Sequence, residues 1–136
     1  MDMINSLNEI DHIFSNTQLI LKLGVRFIAL INNKGRIHEF VSKDGFTLSK
    51  EKLEMFLMAL SLQTNLQQDY DDELGSVKYS LIQREKTKIL VIPVFLGTIV
   101  MVTDANVDPK KIMQKIMKTS DYEEIFSSMP TGKIQR

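Results

Sequence analysis

The sequence predicts an α+β domain: a five-stranded antiparallel sheet with flanking helices, in the order α-ββ-α-βββ-α. Three observations carry this reading. Segments with a two-residue period flank the turn signal Asn32-Asn33-Lys34-Gly35. A helical period runs from Ser49 to Leu66 and is apolar on two opposite sides. Three further strands, Val77–Arg84, Lys88–Val94 and Thr98–Thr103, are joined by Glu85-Lys86-Thr87 and Phe95-Leu96-Gly97, short enough for antiparallel neighbours.

Residues 2–23 read as helical, since Met3, Ile4, Leu7, Ile10, Ile13 and Phe14 recur at three- and four-residue intervals. Ser15-Asn16 is a break signal, so one long helix and two shorter ones are both consistent with the pattern. Gly24 is the stop. In the first strand Val25, Phe27, Ala29 and Ile31 alternate with Arg26, Ile28 and Leu30. Both faces are apolar, as in a central strand. Asn and Gly in the following turn tolerate positive φ, and Arg36–Val41 returns as the second strand.

Ser49 caps the long helix and Glu51 sits in its first turn, facing the positive end of the dipole. At about 100° per residue, Leu53, Phe56, Leu57 and Leu60 share one face and Met55, Met58, Ala59, Leu62 and Leu66 the other. The first face is expected on the sheet and the second against a neighbour, with the chain's own first helix or C-terminal segment as the alternative cover. The pattern fades in the polar run Gln67–Glu73, read as a solvated loop ended by Gly75. Pro93 cannot donate to a ladder and belongs at a strand end, bulge or unpaired edge position. Asp108-Pro109 opens the last clear helix, with Ile112, Met113, Ile116 and Met117 as its buried stripe. Tyr122, Ile125, Phe126 and Met129 suit a short docked helix, and Pro130–Arg136 reads as a loose tail.

The 136 residues suit one domain with one substantial core. The 17 basic and 17 acidic residues cancel, which removes the bulk electrostatic reason to expect a nucleic-acid or membrane protein. With no Cys there is no disulfide, thiolate nucleophile or cysteine-ligated metal. The N-terminus does not read as a signal peptide, and no apolar run approaches the roughly 20 residues that span a bilayer. A cytoplasmic domain is the expectation.

No candidate chemistry outweighs its structural alternative. His12 and His38 lack metal-ligand spacing. Asp69, Asp71, Asp72 and Glu73 lack the central Gly and distant Glu of a calcium loop. Lys110, Lys111, Lys115 and Lys118 make a basic helix face, the basis of an alternative reading as a weak nucleic-acid binder, but no aromatic stacking platform accompanies it. Thr131-Gly132-Lys133-Ile134-Gln135-Arg136 is similar to the C-terminal lysine motif of acyl-CoA synthetases, yet the nucleotide loop of such enzymes is missing. It is also not a P-loop. The chain is therefore expected to be non-enzymatic, with no cofactor and no metal.

The segment Gly24–Ile37, the helix Ser49–Leu66 and the strand Lys88–Val94 together resemble the roadblock/LC7 family of the profilin-like group. The resemblance covers residues 1–118 as one domain and leaves 119–136 as a C-terminal extension, partly helical and then a flexible tail. It implies a dimerising interaction or scaffold module, a homodimer that serves a small GTPase or signalling complex. Carried over by position, the contact involves Met55, Met58, Ala59, Leu62 and Leu66 on the helix and Val77, Tyr79 and Leu81 on the following strand, unless Lys78, Ser80 and Ile82 point outward instead. A different class is a PAS- or GAF-like sensor holding a small molecule between the sheet and Ser49–Leu66.

Overall fold

A computed structural model describes residues 13–117 and 119–126. The expected helix before Ile13, Lys118 and the tail Pro130–Arg136 lie outside the described residues. Residues 13–15 are helical, Asn16 interrupts, and α1 follows at Thr17–Lys22. β1 (Val25–Ile31) and β2 (Ile37–Ser42) form the hairpin. Ser49 Oγ accepts from the Lys52 N–H at 3.2 Å and so caps α2, Lys50–Gln67. A 3-10 turn, Gln68–Tyr70, and a short helix α3, Asp71–Leu74, lead to β3 (Ser80–Gln83), β4 (Thr87–Val94) and β5 (Gly97–Asp104). The Asp108 carboxylate caps α4, Pro109–Ile116, by accepting from the Lys110 N–H at 3.0 Å, and α5 spans Thr119–Phe126.

The sheet is five-stranded, in the order β2-β1-β5-β4-β3, with every neighbouring pair antiparallel. Its two faces carry separate cores. Ile28, Leu30, Leu90, Ile92, Ile99 and Met101 pack under α1, α4 and α5 through Ile20, Ile112, Met113, Ile116 and Ile125. Phe27, Ala29, Ile31, Val91, Val100 and Val102 pack under α2, the one helix on this face among the described residues, with Phe46 beside it. The helices therefore sandwich the sheet unevenly.

Three expectations need correction. Strict alternation places Val25 with Phe27, but the register shifts between Val25 and Phe27 and returns Val25 to the core of Ile28 and Leu30. A β-bulge adds one residue and so inverts the face of everything before it. The run Gln67–Glu73 is helical rather than a loop: Asp71, Asp72 and Glu73 occupy the first turn of α3, where the dipole favours acids. The third strand pairs only over Ser80–Gln83, because the residues before it are drawn towards α5. Lys78 Nζ donates to the Glu124 carbonyl at 3.1 Å and the Tyr79 ring packs on Phe126. Pro93 sits past Val91, where pairing with β3 stops, so its missing N–H disturbs no ladder on that side.

Candidate protein interface

On the inner face of α2, Leu57 is 0% and Leu60 6% exposed, with Leu53 and Phe56 packed beside them. Each such leucine contributes about 1.5–3 kcal/mol of burial. On the outer face Met55 is 70%, Met58 53%, Leu62 60% and Leu66 56% exposed, and Ala59 is exposed among them. The described terminal elements, α1 and α5, lie on the opposite side of the sheet and leave this stripe open.

The helix is clamped from one flank. Ser61, 3% exposed, donates to the Asn33 carbonyl at 2.8 Å, and Asn65 Nδ2 donates to the same oxygen at 2.9 Å. The β1–β2 turn thereby rests on α2, and Gly35 comes so close that a Cβ would lie 2.7 Å from the Met58 Cα. Only glycine fits there, and its φ of +83° also asks for glycine. Gly35 was legible as a turn glycine, but its approach to α2 and the roles of Ser61 and Asn65 were not, because a close approach between distant segments leaves no local signal.

The other flank meets β3, which pairs with β4 on one side and, among the described residues, has no partner strand on its outer edge. Its expected contact residues separate. Leu81 is 43% exposed, and Val77 is half-buried at a cleft bordered by Gln63, Thr64 and Gln67 of α2. Tyr79 is engaged within the chain: its ring centroid lies 5.0 Å from that of Phe126 and its hydroxyl accepts from Lys110 Nζ at 2.9 Å. That hydrogen bond raises the Lys110 pKa above its ordinary value. Of the alternate set, Lys78 and Ser80 are exposed while Ile82 packs half-buried against the core under α2. Tyr70 (55% exposed) and Leu74 (81% exposed) extend the apolar surface beyond α2. Their four-residue spacing from Leu66 was visible in the sequence, hidden only by the expectation of a loop.

The cleft between α2 and β3 at Val77 has a volume of about 110 Å³, below the roughly 300–1,000 Å³ of small-molecule sites, and an adjoining open hollow lined by Thr64, Ser76, Val77, Pro93 and Phe95 has about 360 Å³. On α4, Lys110 is held by Tyr79 while Lys111 and Lys115 are exposed. Among the described residues no group of three or more His, Asp or Glu side chains is placed to hold a metal ion. No helix among them is long and apolar enough to cross a membrane.

Solved structures share this architecture. A roadblock/LC7 domain from Streptomyces avermitilis matches with a TM-score of 0.60 at 12% identity, covering 85% of this chain and 92% of that one. Myxococcus xanthus MglB matches with a TM-score of 0.63 at 13% identity, covering 95% and 98%. An MglB structure with a tetrameric arrangement matches with a TM-score of 0.62 at 15% identity, covering 91% of each chain. The fold is thus that of roadblock/LC7 domains. The chain belongs to DUF6659, a family of unknown function, which matches residues 5–130. No curated protein sequence matches it.

Proposed function

We propose that the chain is a non-catalytic interaction module that self-associates through the outer face of α2 and the open edge of β3. The observation that carries this is the exposure of Met55, Met58, Leu62 and Leu66 on one face of a helix whose other face is fully used by the core. Burying such a stripe releases apolar surface from water on both copies, and Met side chains adapt their shape to a neighbour. Edge strands pair readily with another strand, which would join two sheets across the interface. The tetrameric arrangement of one similar MglB structure agrees with assembly by this fold. By its roadblock/LC7 likeness the paired module would present a composite surface to a small GTPase or signalling partner. Light scattering on the purified chain tests the first step: a dimer is expected at micromolar concentration, and a strict monomer there refutes it.

A further inference from the structure

The sheet comes apart at one corner. Ser80 pairs with Val91 and Leu81 with Leu90. Continued towards the start of β3, that register would set Lys78 against Pro93, Val77 against Val94 and Ser76 against Phe95. No ladder joins these residues, and all six instead line the hollow of about 360 Å³. Pro93 has no N–H to offer a neighbouring strand. On the facing side, α5 draws Lys78 and Tyr79 away through the Glu124 carbonyl and the Phe126 ring. Thr64 and Gln68 of α2 border the slot from one face of the sheet, and Glu124 of α5 from the other. The strands present Val77, Val94 and Phe95 to it, the last 64% exposed.

The chain itself carries a segment placed to fill this slot. α5 ends at Phe126, whose ring lies beside Tyr79, next to the slot's Lys78. Residues 127–130 lie outside the described residues, yet the DUF6659 match runs through them to residue 130. In Ser127-Ser128-Met129-Pro130 the one long apolar side chain is Met129. Three residues of extended chain reach about 10 Å, enough to carry Met129 from the end of α5 into a hollow that α5 already borders. A flexible thioether suits an irregular gap and packs well against an aromatic ring. We propose that residues 127–130 fold back as a strap into this slot, seating Met129 between Val77 and Phe95. The strap stands where Pro93 prevents a ladder, and it takes apolar surface out of water. It is separate from the self-association proposed above and asks nothing of a second copy.

Disulfide trapping in the full chain tests the strap, since the sequence has no cysteine of its own. The variants are Phe95→Cys/Met129→Cys and, as a control, Lys111→Cys/Met129→Cys. Lys111 is exposed on α4, which shares a core with α5, so the tether reaches it although it is not part of the slot. Under mild oxidation the first variant is expected to form an intrachain disulfide at least about tenfold faster than the control. Equal rates overturn the proposal, and so do covalent dimers in place of the intrachain product. Hydrogen exchange on Met129→Asp supplies a second reading. Val77, Lys78, Val94 and Phe95 are expected to exchange about tenfold faster than in wild type, with Leu57 and Leu60 unchanged. Unchanged exchange along the slot overturns the strap.

Discussion

The hydroxyl of Ser61, in the middle of α2, donates a 2.8 Å hydrogen bond to the carbonyl of Asn33, at the tip of the β1–β2 turn. One hairpin and the helix with the open face are thereby held as a unit, since the core under that helix already joins it to β1 through Phe27, Ala29 and Ile31. Ser61→Ala is expected to lower stability by about 1 kcal/mol, the usual net worth of such a bond. Urea denaturation reads this directly, and an unchanged midpoint would show that the turn is not braced by it.

Gly35→Ala should cost more than Ser61→Ala, although it removes no contact. The added methyl meets the Met58 backbone, and the positive φ adds its own strain. A loss of roughly 2–4 kcal/mol is expected. The turn would lift off α2, and hydrogen exchange should then quicken at both the turn and the adjoining helix.

The two faces of α2 should respond oppositely to the same chemistry. Leu57→Ala leaves a cavity in a site with 0% exposure and should cost about 3 kcal/mol, and Leu57→Glu should unfold the domain. Met58→Glu should change monomer stability by no more than about 0.5 kcal/mol while dissociating the dimer. Thermal melts paired with light scattering separate these outcomes. Unfolding by both glutamate variants would mean that the outward face is also core.

Alkaline pH should weaken the contact between Tyr79 and Lys110. The folded-state pKa of Lys110 lies above its ordinary 10.5, so the stabilisation is complete below 10.5 and fades as pH rises through the raised value. Wild type should therefore exceed Tyr79→Phe slightly in stability at about pH 8, and the difference should vanish towards pH 12. Denaturant titrations of both proteins across that range provide the check. Lys110 is largely solvated, so the effect is small.

Much of the fold was legible because its signals are local. Asn32-Asn33-Lys34-Gly35 announces the hairpin, Ser49 and Asp108-Pro109 announce helix starts, and the two stripes of Ser49–Leu66 divide as their spacing says. What escaped depends on distant partners. The bulge that turns Val25 over is set by pairing with β5, and the shortening of β3 by the pull of α5 on Lys78 and Tyr79. The helical run through Tyr70 and Leu74 was masked by its polar composition, although composition alone does not forbid a helix where acids face a dipole. Leu81 and the methionines of α2 lie at the surface as their pattern implied, whereas Tyr79 is held by groups on α4 and α5 that no spacing rule connects to it.

The central position of β1 and β5 has a kinetic consequence. These neighbours come from opposite ends of the described chain, and the Arg26–Asp104 ion pair beside them spans 78 positions. Closing so long a loop precedes the reward of the contacts it brings, which slows folding relative to a fold built from adjacent segments. During synthesis β1, β2 and α2 emerge before β5, and one edge of β1 stays bare until β5 arrives. Over that interval the outward methionines of α2 are already formed as a sticky surface on an unfinished sheet, so premature association between nascent chains is the hazard this topology carries.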